Sequence, residues 1–360
     1  MLLPRRHPRF SFLLASLLTI SLLLLLPRSP LAAFQPSSTP PNRSLRPSAA
    51  NEGLAAKVRR SERSYQKMLR GRDALISKVG PTPRYVALFP PDKEPWPPYT
   101  VWDFFPPAFS CPHELERIGA LGDGGKWVCG LSRLQEKENC VVYSVGTPDY
   151  ASFEAELLAR TRHCQLFVFD HTAREYWDSR GTAQRAHFKR YRVAGYDAQA
   201  TNDSPKTHTL ESLMRQNGHT HIDILKIDLE GWEFDTLTAF LIPSMEYSAE
   251  KPRVAPVSEM LLELHLWNRE FLDLLNWWTV LERAGLRAVA REPNLVYQNY
   301  NRLQGAELAE YTFLNVAIPN VFISDDNHTS SSPLSPPARG PPEPAEPPVA
   351  PIHEDDEQIR

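Results

Sequence analysis

The sequence has no excess of basic residues of the kind that marks a nucleic-acid-binding protein. Its 40 lysines and arginines are outnumbered by 43 aspartates and glutamates, so the formal net charge is −3. No block of like charge forms a basic or acidic binding tail either. The composition therefore predicts no nucleic-acid partner.

Cysteine is scarce, and no Cys-x-x-Cys pair is present among the four cysteines. The usual ligand spacing of a zinc site is thus missing, and the sequence predicts no metal site. The cysteines are Cys111, Cys129, Cys140 and Cys164. Four cysteines allow three pairings, and we expect disulfides because the chain also has the marks of an oxidising compartment.

Proline is abundant but unevenly placed. Of 34 prolines, 15 lie between residues 27 and 107 and nine lie among the last 28 residues. The segment between these flanks has an ordinary globular composition. We therefore predict four parts: a signal peptide or signal anchor (1–27), a Pro-rich stem with a short helical patch (28–110), one folded domain (111–322) and a disordered, acidic, Pro-rich tail (323–360).

The N-terminus has the pattern of a targeting segment. Three arginines precede an uncharged, leucine-rich run of 17 residues, 10–26. This run is longer than a usual signal-peptide core of about 7–15 residues and a little shorter than the ~20 that span a bilayer comfortably. The preceding positive charges would keep the N-terminus cytoplasmic. The sequence thus predicts a secreted or single-pass anchored protein of the secretory pathway, with membrane contact only through this segment if it is uncleaved.

Glycosylation acceptors agree with that location. Asn42-Arg43-Ser44 and Asn327-His328-Thr329 lie in the flanks. A third, Asn202-Asp203-Ser204, is weaker because Pro205 follows. These sequons support the predicted location without establishing it.

From Cys140 onward, apolar strands alternate with amphipathic helices. Seven strands are predicted, at 141–145, 166–169, 187–194, 222–227, 260–264, 286–290 and 311–317. Strands separated by helices favour a mostly parallel sheet with helices on both faces. No helix is predicted between the last two strands, which suits an antiparallel pair at one edge. This is the layout of the class I methyltransferase fold, an α/β, Rossmann-like architecture.

The parallel sheet also orders the cysteines. Cys140 and Cys164 stand immediately before the first two strands, and therefore at the same end of neighbouring strands. Adjacent strands lie about 4.8 Å apart, within disulfide reach. We predict the pair Cys140–Cys164, which leaves Cys111 with Cys129.

Candidate functional residues follow the strands, where doubly wound sheets bind ligands. Gly146 follows the first strand and allows a close backbone approach. Asp170 ends the second, where a carboxylate can accept both ribose hydroxyls of an adenosine. A turn glycine and a helix cap are the plain structural alternatives for these two.

Acidic residues cluster after the fourth strand. Asp228, Glu230 and Glu233 would repel one another unless compensated, although Asp228 could instead cap the next helix, with the two glutamates in its first turn. His265 ends the fifth strand, as a candidate base, metal ligand or merely hydrogen-bonded histidine.

A glycine-rich turn precedes the first strand of the sheet. Around Asp123 and Gly124, the segment GDGGKW can aim backbone N–H groups at an anion or fold over a pocket. A plain hairpin between short strands is the alternative.

The succession GDGGKW, CVVYSVG, FVFD, HFKRYRVAG, DILKIDLEGWEF and LLELHLW resembles the FkbM-related methyltransferase domain family over roughly residues 111–318. The resemblance implies a seven-stranded class I fold and S-adenosylmethionine (SAM) as methyl donor. It also implies SAM contacts at Gly146 and Asp170, with Asp228 and Glu230 near the methyl group. Relatives methylate hydroxyl oxygens, so an unidentified hydroxyl-bearing acceptor is implied here.

One position departs from the family pattern. Where the family usually has a second glycine, this chain has Pro148, which lacks an N–H and fixes φ. Asp149, next to it, is a candidate for holding the methionine ammonium of SAM. Three functions result: an O-methyltransferase with Asp228, Glu230 or His265 as base, a catalytically inactive binding domain, or a Golgi glycosyltransferase whose Asp-x-Glu holds Mn²⁺ with a nucleotide sugar. Methylation of nucleic-acid bases is disfavoured because no Asn-Pro-Pro-Tyr-like block follows the fourth strand.

Overall fold

The computed structural model describes residues 52–86, 100–146, 151–173, 183–202, 204–243, 251–267, 269–300 and 307–325. Several predictions concern residues outside these ranges: the hydrophobic run 10–26, the acceptors Asn42 and Asn327, the turn residues Pro148 and Asp149, and nearly all of the acidic tail. Within the described ranges, no helix combines the length and the apolar character needed to cross a bilayer.

Eleven strands and six α-helices make up the described structure. The strands are β1 (Leu115–Ile118), β2 (Lys126–Cys129), β3 (Val141–Val145), β4 (Gln165–Phe169), β5 (Ala186–Lys189), β6 (Arg192–Val193), β7 (Thr207–His208), β8 (Ile222–Ile227), β9 (Val257–His265), β10 (Leu286–Pro293) and β11 (Leu308–Asn315). The helices are α1 (Leu54–Val79), α2 (Ser152–Arg160), α3 (Leu210–Asn217), α4 (Glu233–Leu241), α5 (Phe271–Arg283) and α6 (Leu295–Tyr300).

Seven strands form the central sheet in the order β5-β4-β3-β8-β9-β11-β10. From β5 to β9 all neighbours are parallel, and β11 is antiparallel to both β9 and β10. The mostly parallel α/β sheet of seven strands confirms the predicted class I methyltransferase fold. The order reverses at β3, where the chain first moves outward to β4 and later returns to β8.

The predicted antiparallel pair at one edge is present as β10 and β11. Two details differ: β11, which runs against the other strands, lies one position inside the edge, and the short helix α6 separates β10 from β11, where no helix was predicted. The physical reason is burial: β11 is buried along nearly its whole length and so needs a partner on each side. The outer strand β10 carries a register shift and ends at Pro293, both of which suit an edge.

Burial explains why the central strands read as continuous apolar runs. All six residues of β8 and all nine of β9 are buried, as expected for strands covered on both faces. Successive residues serve opposite sides, since Val142 packs in one apolar cluster and Tyr143 in the other. The predicted third strand, however, is broken: β5 ends at Lys189, and β6 leaves the main sheet to pair with β7.

Glycines end the helices where the sequence predicts. Gly218 follows α3 with φ 73°, and Gly285 follows α5 with φ 99°. This left-handed backbone suits glycine because it has no Cβ to clash with the preceding turn.

Helix α1 lies within the predicted stem but packs on the folded domain. Arg72 forms a bidentate ion pair with Glu282 of α5, with N–O distances of 2.7 and 3.0 Å. Arg287 of β10 pairs with Glu62, and Tyr65 is buried. The folded unit therefore begins well before Cys111, where the sequence placed its start, because apolar residues on one face of α1 are buried against it.

Both predicted disulfides are confirmed. Cys140 is bonded to Cys164 with a Cα–Cα distance of 4.3 Å, and Cys111 to Cys129 with 5.8 Å. The first bond joins the entries to β3 and β4. The second ties the segment after α1 to the β1–β2 hairpin.

Candidate active site

The carboxyl ends of β3, β4 and β8 lie side by side and bring three predicted residues to one edge. The N–H of Gly146 donates to the carbonyl of Phe169 at 3.0 Å, and the N–H of Asp228 donates to that of Val145 at 2.9 Å. Asp170 follows Phe169 directly. Gly146, Asp170 and Asp228 therefore converge at the switch in strand order, as the sequence predicts.

Gly146 is glycine because two backbones meet there. Its φ is +70°, and an added Cβ would lie 1.6 Å from the carbonyl oxygen of Asp228. No side chain can be accommodated without moving the end of β8. The sequence assigned this glycine to a ligand's approach, whereas the structure shows that it first of all makes room for Asp228.

Asp170 is buried and held by its own turn. Its Oδ1 accepts hydrogen bonds from the backbone N–H of Thr172 at 2.6 Å, the Thr172 hydroxyl at 2.7 Å and the N–H of Ala173 at 2.9 Å. These donors fix the carboxylate at the end of β4. An oriented hydrogen-bond acceptor thus stands next to Gly146.

A buried lysine gathers carboxylates at the ends of β8 and β9. We call Lys126, Asp228, Glu263 and Glu310 the Lys126 cluster. The ammonium of Lys126 contacts Glu310, lies 3.3 Å from Glu263 Oε2 and 3.8 Å from Asp228 Oδ2. Asn294 donates to the other oxygen of Glu263 at 2.7 Å. One positive charge therefore faces three acids in a water-poor site.

The pKa values in the cluster diverge. Burial raises the pKa of Asp228 to about 7, with the neighbouring Glu263 adding to the effect and Lys126 opposing it. Burial also raises the pKa of Glu263, but the Lys126 charge and several hydrogen bonds outweigh it and hold that pKa below its usual range. Glu310, by burial and its acidic neighbours, has a strongly raised pKa. These carboxyls are close enough to titrate together, so the raised pKa of Asp228 places a proton equilibrium of the cluster near neutral pH.

His265 is oriented by a fully buried glutamate. Glu233 Oε1 accepts from the backbone N–H of His265 at 2.7 Å and lies 3.3 Å from its Nδ1. Burial lowers the pKa of His265, but the hydrogen bond and charge of Glu233 outweigh this and raise it. The ring of Trp267 lies 4.7 Å from the imidazole between centroids. With Nδ1 engaged, Nε2 is the nitrogen left to meet a substrate.

The helix-capping alternative for Asp228 is wrong. Helix α4 begins at Glu233 with Trp232 as its N-cap residue, and no side chain caps it. Asp228 instead faces Lys126. Glu230 lies in the exposed turn between Asp228 and helix α4, with a left-handed φ of 49°. It therefore stands at the rim of the site and not inside the Lys126 cluster.

The glycine-rich turn is the connection of the β1–β2 hairpin. Asp123 is exposed and Gly124 is buried, and the side chain of Arg117 fills the turn by donating to the carbonyls of Ala120 and Gly122. The plain hairpin is thus the structure found. Its contribution to the site is Lys126, the residue that begins β2.

Sequence reasoning missed the side chains that surround Asp228. Lys126, Glu263, Glu310 and Asn294, which donates to Glu263, are not among the predicted site residues. A signal existed, because Glu263 and Glu310 are acids within mostly apolar strands, where a charge needs a buried partner. Within the described residues, no group of three or more His, Cys, Asp or Glu side chains is arranged to hold a metal ion.

A comparison with protein-family models agrees with this fold. A family model described as a methyltransferase domain matches residues 83–266. No curated protein matches the sequence. A solved structure from Clostridium thermocellum, described as an rRNA-methylase, is 7% identical with a TM-score of 0.29, covering 51% of this chain and 92% of its own. A precorrin-6y C5,15-methyltransferase from Geobacter metallireducens GS-15 is 10% identical with a TM-score of 0.25, covering 51% and 84%.

At these TM-scores the two structures carry no argument about this chain. The family model is different, because it matches just over half of the chain and includes every strand from β1 to β9. Its fold is one that generally uses SAM as the methyl donor. The chain therefore belongs to the methyltransferase-domain family.

Proposed function

We propose that this protein transfers a methyl group from SAM to a hydroxyl oxygen of an acceptor in the secretory pathway, as in the FkbM-related methyltransferases that its sequence resembles. The observation that carries the proposal is Asp228, a largely buried carboxyl, 16% exposed, with a pKa of about 7 at the mouth of β8. A group that exchanges its proton near neutral pH is suited to accept one from a hydroxyl.

The residues present fit SAM. A left-handed glycine ends β3, and an oriented, buried carboxylate ends β4. We propose that Asp170 binds the ribose of the adenosine and that SAM approaches the backbone of Gly146 beside it. Asp149 stays a prediction for the methionine ammonium, and so does a contact from Asp123 or Gly124. When bound, SAM supplies an electrophilic methyl group on sulfur.

The chain's own contribution is to orient the acceptor and take up its proton. Methyl transfer needs alignment above all, and a base when the hydroxyl is weakly acidic. Ionised Asp228 is the first candidate base, with Lys126 keeping it in place. His265, held through Nδ1 by Glu233, is the second, and Glu230 at the rim is placed to contact the acceptor.

The secretory location is a separate part of the proposal. Two disulfides join all four cysteines, and such bonds are typical of oxidising compartments. The hydrophobic run 10–26 and the flanking sequons point the same way. We propose that residues 1–27 deliver or anchor the chain and that the segment before Glu52 acts as the stem.

Two alternative functions predict different experimental results. An inactive binding domain would bind SAM without transferring its methyl group, through the change at Pro148. A glycosyltransferase would need a divalent cation at Asp228, where the ammonium of Lys126 already lies 3.8 Å away. Like charges repel at that distance, so this alternative is disfavoured.

The test is methyl transfer by the purified full-length chain from SAM labelled in its methyl group. Acceptors would be a panel of glycans, lipids and small hydroxyl compounds. Asp228→Asn should retain SAM binding by calorimetry and lose about 10²–10⁴ of the rate. Asp235→Asn, a surface aspartate on α4, is the matched control and should leave the rate unchanged.

Three results would contradict the proposal. SAM binding without labelled product from any acceptor favours the inactive binding domain. A Mn²⁺-dependent signal with a nucleotide sugar favours the glycosyltransferase. Full activity of Asp228→Asn would exclude Asp228 as the base.

A further inference from the structure

Helix α1 presents a stripe of basic residues to solvent. Arg59, Arg63, Lys67, Arg70 and Lys78 are all exposed. Their spacing of four, four, three and eight residues places them on one face, because an α-helix has 3.6 residues per turn. We call these five residues the basic stripe. It extends over about 28 Å at 1.5 Å per residue.

The stripe is not neutralised by its own helix. The helix holds eight basic and two acidic residues, a net charge of +6 in a chain whose total is −3. Of the nearby acids, Glu62 is turned inward to Arg287 and Glu52 pairs with Arg60. The exposed Asp73, three residues after Arg70, is the one acid of α1 that faces solvent without an ion pair in the described part of the chain. Within the described part of the chain, none of the five stripe residues forms an ion pair.

The opposite face of α1 fixes the direction in which the stripe points. Tyr65 and Arg72 are buried, and the Arg72 guanidinium binds both oxygens of Glu282 in α5. Ser61 donates to the carbonyl of Ser110 at 3.1 Å. The helix therefore cannot rotate to bring its basic residues onto the domain.

Such a stripe is unfavourable unless an anion meets it. Like charges four residues apart on a helix repel one another, and this stripe has two such pairs in succession, Arg59 with Arg63 and Arg63 with Lys67. A single solvated helix face more commonly mixes both signs. Rows of lysine and arginine on one surface are typical of polyanion binding.

We propose that the basic stripe of α1 binds a linear sulfated polysaccharide. The choice of polyanion rests on the location proposed above, and not on methyl transfer. In a disulfide-forming compartment, nucleic acid is not the expected partner, and the anionic membrane leaflet faces the cytoplasm. A polysaccharide chain lying along α1 meets the five cations in turn and releases its counterions as they bind.

The test is binding of the full-length protein to heparin as probe, across a series of salt concentrations. The variant Arg63→Gln/Lys67→Gln/Arg70→Gln removes the middle of the stripe. The matched control Arg84→Gln/Arg162→Gln/Lys189→Gln removes three exposed basic residues elsewhere and changes the net charge equally. Circular dichroism checks that both variants fold.

We expect the wild type and the matched control to bind heparin alike. For the stripe variant, the slope of log affinity against log salt should fall in magnitude by roughly 2–3, one contact being lost per residue. Desulfated heparin should not bind. Equal losses in both variants, or stripe-dependent binding only to phosphatidylserine vesicles or to single-stranded DNA, would overturn the proposal. This assay does not measure methyl transfer, so a negative heparin result would leave the proposed methyltransferase activity untouched.

Discussion

The buried pair Lys226–Glu154 offers the sharpest test of how the candidate site is supported. Lys226 Nζ lies 2.8 Å from Glu154 Oε1, which also accepts from the Ser144 hydroxyl at 2.6 Å. Both charged side chains are 1% exposed. The pair joins β8, two residues before Asp228, to the first turn of α2. We consider Lys226→Met, which keeps an unbranched side chain one heavy atom shorter and removes the charge.

The expected loss of unfolding free energy is about 3–5 kcal/mol near pH 7. That is the usual cost of leaving one member of a buried ion pair without its partner. Glu154 would lose its cation and keep the hydrogen bonds from the Ser144 hydroxyl and from the backbone. A surface pair gives the contrast: Arg160 bonds Glu116 with both side chains about one-third exposed, so Arg160→Met should cost less than about 1 kcal/mol.

The loss should shrink in acid. Burial raises the pKa of Glu154, but Lys226 and the two hydrogen bonds outweigh this and hold it below its usual value. In the wild type the carboxylate therefore stabilises the fold above the unfolded pKa, and this contribution is lost as pH falls through the folded pKa. Without Lys226, burial alone raises the pKa, and protonation relieves the strain. The difference between the two proteins is then smaller near pH 4 than near pH 7.

The assay is urea unfolding of the wild type, Lys226→Met, Arg160→Met and the double variant Lys226→Met/Glu154→Gln at both pH values. The double variant should recover part of the loss, because no buried charge remains. If Lys226→Met costs no more than Arg160→Met, or if its loss is the same at both pH values, the account of this pair is refuted.

Three further predictions concern the site and its frame. Gly146→Ala should abolish SAM binding in calorimetry, because the new Cβ overlaps the Asp228 carbonyl. The control Gly218→Ala has a similar φ and open space around it, so it should lower the unfolding free energy by about 1–2 kcal/mol and leave SAM binding unchanged. Equal effects of the two variants on SAM binding would contradict this. The rate of methyl transfer should rise with pH through about 7, since Asp228 accepts a proton only when ionised, and a flat profile would remove Asp228 as base. Cys140→Ser/Cys164→Ser opens a link over 24 residues and should lower the unfolding free energy by about 3 kcal/mol; an unchanged urea midpoint would count against it.

Much of the fold is predictable because its signals are local. Each buried strand is a short apolar run, and Gly218 and Gly285 stop their helices through their own backbone geometry. Cys140 and Cys164 could be paired because both precede neighbouring parallel strands. The positions of Gly146, Asp170 and Asp228 follow from the same rule, since a parallel sheet collects its strand ends at one edge.

The partners of those residues are not predictable in this way. Lys126, Asp228, Glu263 and Glu310 come from four elements spread over 184 positions of the chain, and no local pattern pairs them. Their pKa values depend on burial and on mutual distance, which exist only after folding. From the sequence, a helix cap therefore remained an alternative for Asp228, and the position of Lys126 beside it in the structure decides against that alternative.

The sequence by itself determined the class of this protein: the succession of strands and helices, the disulfide pairs and the edge of the sheet that carries its acids. The strands and helices follow from short local patterns, and the other two follow from where the cysteines and acids lie relative to those strands. The tertiary structure alone decided which charges are buried together and which face water. The basic residues of α1 are visible in the sequence, but their common exposure follows from the inward contacts of Tyr65 and Arg72. The direction in which a side chain points and the distance between two charges depend on tertiary packing, which brings together residues that are far apart in the sequence.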